Sequence, residues 1–200
     1  MRPIILFLFP ALILAQDLQT RLVFQSTVDL RGNWFVTGLG IGNFRTQTPN
    51  NVNLFGGIGY RSKTWWLQGT VQRQWSKPGN NLLLDFRFHK QFAGRRAVSF
   101  YTEATPFLTR RAFYEFVIVE ARIWSTAKPR WYQRWRAGGE TENVHRSNVR
   151  DSLAAGVRLT YPIGMFRGWV LSSSLAYRVQ SPEPNALRFY FSVNRRFGKK

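Results

Sequence analysis

His89 is the residue of this chain that most resembles a catalytic group, because it shares a polar face with a hydroxyl and a carboxylate. His89 lies in one segment of alternating apolar and polar residues, and Ser99 and Glu103 lie in the next. A histidine beside a serine and a carboxylate could activate a nucleophile, as a lipid hydrolase or deacylase requires. No sequence motif accompanies these three residues, and a hydrogen-bonded histidine inside the fold fits the same positions. We therefore expect a non-enzymatic protein, with a lipid hydrolase as the alternative.

A second group of residues has the types that could bind a metal ion. Glu140, Glu142 and His145 fall in a segment that we expect to be an external loop. Two carboxylates and an imidazole are suitable metal ligands. Such residues also occur together by chance in solvated loops. We therefore expect no metal site and no cofactor.

The elements that carry these residues are segments in which apolar and polar residues alternate. Alternation with a period of two is typical of β-strands that have one apolar face. In the clearest segment, Leu84 and Phe86 alternate with Asp85, Arg87 and His89. Connectors rich in Gly, Pro, Asn and Ser separate the segments. The candidate strands are 22–30, 34–44, 53–61, 64–75, 82–92, 97–107, 112–124, 130–141, 152–161, 168–179 and 187–197.

These segments predict an all-β, antiparallel transmembrane β-barrel of about ten strands, arranged as an up-and-down meander. Segments of about 9–12 residues match tilted strands that cross a bilayer. Single-chain bacterial barrels have an even number of strands, so eleven candidates indicate ten, or twelve if one strand was missed. Residues 16–30 are then either a lead segment or a first strand. If Phe197 lies at the periplasmic end, the longer connectors are external, at 45–52, 76–81, 108–111, 142–151 and 180–186.

The first fifteen residues have the features of a secretory signal peptide. Arg2 precedes an apolar run from Ile4 to Ala15, which is too short to cross a bilayer as a helix. Cleavage after Ala15 would leave one barrel domain, residues 16–200. The chain has no Cys, so neither a disulfide nor an N-terminal lipid on Cys is available. Export and a barrel together predict the outer membrane of a Gram-negative bacterium.

The net charge of +19, from 29 Lys and Arg against 10 Asp and Glu, indicates an anionic partner. Nucleic-acid-binding proteins gather basic residues on one face, whereas here the Arg residues are scattered. We therefore expect no nucleic-acid partner and predict contact with membrane lipid and lipopolysaccharide. Guanidinium groups in the external connectors could bind lipid phosphates. The residues concerned are Arg45, Lys77, Arg110, Arg111, Arg146 and Arg150.

If the apolar faces contact lipid, the polar faces line the lumen. Charged side chains in a narrow barrel must pair or stay hydrated. A salt-bridged plug is the expected arrangement, and a small anion-preferring pore is the alternative. The predicted lumen network is Asp85, Arg87, Glu103, Glu120, Arg122, Arg158, Arg178 and Arg188.

Together, the apparent signal at 1–15, the strand run over 34–197 and an aromatic-ended last strand resemble small bacterial outer-membrane β-barrel proteins in general. The resemblance implies that the last strand is an assembly signal read by the barrel-assembly machinery. Gly198 and two lysines follow the terminal aromatic, whereas the aromatic is usually last in such proteins. The implied role is structural or the passage of small solutes. A secreted lipocalin-like carrier, with its apolar faces inward, is a further alternative. The assembly-signal residues are Phe189, Phe191, Val193 and Phe197.

Overall fold

The computed structural model is a closed β-barrel. It describes residues 15–47, 50–76, 79–94, 96–108, 111–126, 130–147, 150–164 and 169–198. Within these ranges there are eleven strands and one short 3-10 helix, Trp131–Gln133. No helix among the described residues is long and apolar enough to cross a bilayer. The strands are β1 Asp17–Asp29, β2 Trp34–Arg45, β3 Asn51–Arg61, β4 Trp65–Ser76, β5 Gly79–Gln91, β6 Ser99–Pro106, β7 Ala112–Arg122, β8 Arg136–Arg146, β9 Leu153–Gly164, β10 Trp169–Ser181 and β11 Ala186–Phe197.

Each strand pairs with its sequence neighbour in antiparallel fashion, and β1 closes the barrel against β11. The predicted all-β barrel of about ten strands is thus confirmed. The closing pair is parallel and runs from Asp17 opposite Ala186 to Val28 opposite Phe197. An odd number of strands requires one parallel pair, because strand direction alternates around the barrel. Of the two interpretations of residues 16–30, the structure agrees with the first strand rather than with a lead segment.

The connectors lie at two rims. The start of β1 marks the N-terminal rim, and Phe197 marks the C-terminal rim. The odd-numbered strands run from the N-terminal rim to the C-terminal rim, and the even-numbered strands run in the opposite direction. The longest connector, 123–135, is at the C-terminal rim, so the expected excess of loop length at the other rim is wrong. β8 extends to Arg146, which shortens the connector that we expected at 142–151.

Side chains are distributed inside out compared with a water-soluble barrel. Thirty large apolar side chains are exposed, whereas only eleven hydrophobic residues are buried among those described. Phe24, Val71 and Val157 are each at least 50% exposed on the outer surface. Twenty-four polar or charged residues are buried instead. The alternation of the sequence therefore directs apolar residues outward and polar residues into the lumen.

A girdle of aromatic rings surrounds part of the C-terminal rim. The ring centroids of Trp34 and Tyr60 are 5.4 Å apart, and those of Tyr60 and Trp65 are 5.7 Å apart. The series continues to Phe88 at 6.4 Å and on to Phe100 at 6.3 Å. These five residues, from β2 to β6, are called the aromatic girdle below.

Ionic contacts hold β1 to its neighbours at the same rim. Asp29 accepts a hydrogen bond from Arg61 of β3 at 2.8 Å and from Arg196 of β11 at 2.6 Å. The carboxylate therefore joins three strands across the parallel closure.

Several glycines allow strands to approach closely on the inner surface, and Gly138 and Gly156 have the shortest approaches. A Cβ atom at Gly138 would lie 1.9 Å from the carbonyl oxygen of Val119, and one at Gly156 would lie 2.0 Å from that of Tyr177. Backbone oxygens have little freedom to move away, so these positions require glycine. Gly56, in contrast, has no atom within 4 Å of its hypothetical Cβ.

Candidate functional site

The barrel interior contains a cluster of buried arginines and glutamates centred on β8. Alternate positions of β8 point inward, and this places Glu140 and Glu142 inside the barrel. The prediction of an external loop for these two glutamates is therefore wrong. The central charge cluster consists of Arg21, Glu120, Glu140, Glu142, Arg158, Arg178 and Arg188.

Glu142 contacts three arginines from three different strands. Its carboxylate accepts hydrogen bonds from Arg21 at 2.8 Å, from Arg188 at 2.6 Å and from Arg178. The hydroxyl of Tyr114 donates a further bond at 2.8 Å. Four donors around one carboxylate satisfy its acceptor capacity, which a buried charge requires.

Glu140 extends the central charge cluster away from the N-terminal rim. It accepts a hydrogen bond from Arg158 at 2.7 Å and has a salt bridge to Arg178 at 3.3 Å. Arg158 also donates to Glu120 at 2.8 Å. The side chain of Glu140 is fully buried, so its charge is balanced by these guanidinium groups rather than by water.

Aromatic rings pack against the guanidinium groups of the cluster. The guanidinium carbon of Arg158 lies 4.9 Å from the ring centroid of Tyr190, and that of Arg21 lies 5.7 Å from the same ring. Arg21 is also 5.8 Å from the ring of Phe116. Cation–π contacts of this kind stabilise charges that have left water.

A second, smaller ionic group lies on β5 and β6. Arg87 donates to Asp85 at 2.5 Å and forms a salt bridge with Glu103 at 3.5 Å. Asp85 also accepts a hydrogen bond from Thr105 at 2.7 Å. The ring of Phe55 lies 4.4 Å from the guanidinium carbon of Arg87.

The two ionic groups contain seven of the eight predicted lumen residues. Arg122 differs, because it is half-buried at the end of β7 and forms no salt bridge with a described residue. Three members were missed at the sequence level, namely Arg21, Glu140 and Glu142. Arg21 was missed because β1 was not assigned firmly to the barrel. The alternation of Glu140 and Glu142 was the signal that could have identified the other two.

A cavity of about 740 Å³, lined by both polar and apolar side chains, opens at the N-terminal rim and is called the vestibule below. Its inner end includes Arg21, Glu142, Asp85 and Glu103, which belong to the two ionic groups. Side chains of β2, β3 and β4 provide one wall that is rich in amides. The amide residues are Asn43, Asn51, Asn53, Gln72 and Gln74.

Four of the basic residues predicted to bind lipid lie at the N-terminal rim. Arg45, Arg111 and Arg146 line the vestibule, and Arg45 forms a salt bridge of 3.1 Å with Glu183. Arg111 and Arg146 are exposed, and contact of these residues with lipid phosphates stays a prediction. Arg150 is exposed and donates to the hydroxyl of Ser181 at 3.3 Å. Lys77 and Arg110 lie outside the described residues, as does nearly all of the predicted signal peptide.

The structure does not assemble the predicted triad of His89, Ser99 and Glu103. Among the described residues, no hydrogen bond joins His89 to either partner. The ring of His89 stacks on Trp66 with centroids 5.7 Å apart. Ser99 accepts a hydrogen bond from Arg136 at 2.5 Å, and Glu103 accepts one from Tyr101. The groups required to activate a nucleophile are thus engaged elsewhere.

His145 lies on the outer surface at the N-terminal rim, away from the two glutamates with which it was grouped. Its Nδ1 is 3.0 Å from Asp151, and its Nε2 is 3.7 Å from Glu115. The pKa of Asp151 is lowered, chiefly because the backbone N–H of Arg146 donates a 2.9 Å hydrogen bond to its carboxylate. The described residues contain no group of three or more metal-ligand side chains in a suitable arrangement.

The predicted assembly-signal residues share the outer face of β11. Phe191 is 42% exposed and Phe197 is 39% exposed, and Phe189 and Val193, on either side of Phe191, follow the same alternation. The guanidinium carbon of Arg195 lies 4.3 Å from the ring centroid of Phe197.

Comparison with protein-family models, with curated proteins and with solved structures finds no significant match to this chain.

Proposed function

We propose that this protein is an integral β-barrel of the outer membrane of a Gram-negative bacterium and that its main role is structural. The observation that carries the proposal is the inside-out distribution of side chains. The exposed apolar residues form the outer surface, whereas ion pairs fill the interior.

Burial energetics support a membrane rather than an aqueous environment. A large apolar side chain is about 1.5–3 kcal/mol less stable when it is exposed to water than when apolar groups surround it. A soluble lipocalin-like carrier would have its apolar residues inside, around a lipophilic ligand. Here the interior contains Arg178, Arg188 and Glu140, each at most 3% exposed. Lipid offers no hydrogen-bond partners to the backbone of an open strand edge. A closed barrel avoids this cost, because its edge strands pair with each other.

The dimensions of the strands support the same environment. A strand of 12 residues, such as β4, is about 40 Å long at about 3.3 Å per residue. A tilt of about 40° reduces its span along the barrel axis to about 30 Å, close to the hydrocarbon thickness of a bilayer. The aromatic girdle would then lie at one membrane interface, where Trp and Tyr side chains are favoured.

The central charge cluster supports a structural role in preference to passage. Arginines from β1, β9 and β11 reach the glutamates of β8 within the lumen through hydrogen bonds of normal length, and Arg178 of β10 forms salt bridges with the same glutamates. Opening a route through them would separate buried charges, which is costly. A small anion-preferring passage remains the second candidate, because Arg111 and Arg146 line the vestibule and form no salt bridge with a described residue.

The proposal includes two partners that the sequence predicts, lipopolysaccharide and the barrel-assembly machinery. We place the N-terminal rim at the lipopolysaccharide side. Among the described residues that were predicted to bind lipid, Arg150 is exposed and does not line the vestibule. The outer face of β11, from Phe189 to Phe197, would be read by the barrel-assembly machinery. Export by the signal at 1–15 precedes both contacts.

Membrane fractionation tests the proposal. The chain should resist extraction by carbonate, fractionate with the outer membrane, and change its gel mobility on boiling in detergent. Planar-bilayer recording of the purified barrel should show little or no conductance. A soluble protein of one gel mobility would refute the membrane proposal, and a large steady conductance would refute the closed lumen.

A further inference from the structure

We propose that the vestibule is a binding site for a small phosphorylated saccharide. The site lies between the amide wall of β2, β3 and β4 and a pair of arginines, Arg111 and Arg146, beside β7 and β8. It requires the barrel fold and an open N-terminal rim. It does not require the membrane, so it can fail or hold independently of the proposed function.

The amide wall is organised by a chain of hydrogen bonds. Gln72 donates to Asn53 at 2.8 Å, and Asn53 donates to Asn51 at 2.9 Å. Asn43 also donates to Asn51 at 2.7 Å, and it accepts a bond from Arg21 at 2.5 Å. Each amide N–H₂ group carries two protons, and these bonds use one of them. The wall therefore presents oriented N–H donors to the cavity, which suit the hydroxyl oxygens of a sugar.

Arg111 and Arg146 are held side by side on the opposite part of the cavity wall. Ala112 is the register partner of Arg146, and the N–H of Ser147 donates to the carbonyl oxygen of Arg111 at 3.1 Å. Among the described residues, no carboxylate lies within 4 Å of either guanidinium. Asp151 interacts electrostatically with Arg146, but its carboxylate is already engaged by His145 and by the backbone N–H of Arg146. An anion bound at the two guanidinium groups would therefore add a compensating negative charge. A phosphate group accepts bidentate hydrogen bonds from guanidinium groups.

The acidic residues of the vestibule do not cancel this positive charge. Glu142 is engaged by three arginines, and Glu183 pairs with Arg45. Asp85 and Glu103 share Arg87. The excess positive charge therefore lies at the mouth, next to the two arginines.

The size of the cavity limits the ligand. A volume of about 740 Å³ is within the range of small-molecule sites. The two ionic groups close its inner end, so a ligand enters and leaves by the same rim. A hydroxylated body on the amide wall and a phosphate on the arginines together describe a mono- or disaccharide phosphate.

Titration calorimetry of the folded barrel in a zwitterionic detergent tests the site with three probes. Glucose 6-phosphate should bind at least tenfold more tightly than glucose or inorganic phosphate. The double variant Arg111→Gln, Arg146→Gln should weaken binding of glucose 6-phosphate at least tenfold. Arg150→Gln is the matched control, because Arg150 is an exposed rim arginine that does not line the cavity, and it should leave binding unchanged.

A second variant keeps the test decisive if the double variant does not fold. Asn51→Asp retains the oxygen that accepts both amide hydrogen bonds, but it places a carboxylate opposite the arginines. It should also weaken binding of glucose 6-phosphate at least tenfold. Absence of binding at about 50 mM glucose 6-phosphate, which is about fifty times the upper end of common KM values, would overturn the proposal. Binding insensitive to these variants, or equal affinity for inorganic phosphate, would also overturn it. If fractionation shows a soluble protein, the same titration without detergent still applies.

Discussion

Replacement of Glu142 by Gln should destabilise the barrel more than any other single loss of charge in its interior. Glu142 is the common acceptor of Arg21, Arg178 and Arg188, and its side chain is only 9% exposed. The variant keeps the volume of the side chain but removes the negative charge. Arg178 and Arg188 would then depend on Glu140 alone, at 3.3 Å and 3.8 Å, and Arg21 would have no carboxylate partner.

The size of the effect follows from the number of charges left uncompensated. The central charge cluster has four arginines and three glutamates, so the variant leaves four cations against two anions. Removing one partner of a buried ion pair typically costs about 3–5 kcal/mol. The cluster opens toward the vestibule, where water can partly hydrate Arg21. We therefore expect the free energy of unfolding to fall by about 3–4 kcal/mol.

Urea unfolding of the barrel in lipid vesicles, followed by tryptophan fluorescence, measures this change. Glu183→Gln is the matched control, because Glu183 also pairs with an arginine but is 30% exposed at the rim. Such a pair is worth at most about 1 kcal/mol. Equal unfolding midpoints for the two variants would refute the conclusion that buried ion pairs stabilise the interior.

Three further predictions concern the outer surface, the strand contacts and the closure. Val71→Arg, near the middle of β4, should cost about 2–4 kcal/mol in a bilayer and clearly more than Val52→Arg near the rim; equal costs in vesicle unfolding would contradict the membrane proposal. Gly138→Ala should lower the free energy of unfolding by about 1–3 kcal/mol, whereas Gly56→Ala should change it little, as urea titration of both variants would show. Asp29→Asn should lower the free energy of unfolding by about 1 kcal/mol and increase protease cleavage near the C-terminal rim. Unchanged cleavage would show that Asp29 does not hold the three strands together.

The sequence allowed the strands and their faces to be predicted, because a period of two is a local signal. Segment 82–92 matches β5, and its inward residues Asp85 and Arg87 do pair. The ion-pair partners of each charged residue, in contrast, cannot be read from the neighbouring sequence. Nothing in the alternation of Arg158 indicates that it contacts Glu120 and Glu140 from two other strands.

The errors arose where a general rule replaced the local signal. The rule of an even strand count left 16–30 as either a lead segment or a first strand, although Leu22, Phe24 and their neighbours alternate as in the other strands. The segment 130–141 was read as one strand, but its first part forms the short helix and a connector. That shift moved the start of β8 to Arg136 and hid the inward register of its glutamates.

The parallel closure also has a consequence for how the barrel is made. Every other ladder joins consecutive strands, so it can form as soon as a hairpin has been synthesised. The contact between Gln19 and Arg188, in contrast, joins residues 169 positions apart. Contacts of such long range carry a large loop-closure entropy and form slowly. Growth of the sheet hairpin by hairpin, followed by one late closing step, is the order of assembly that this topology favours.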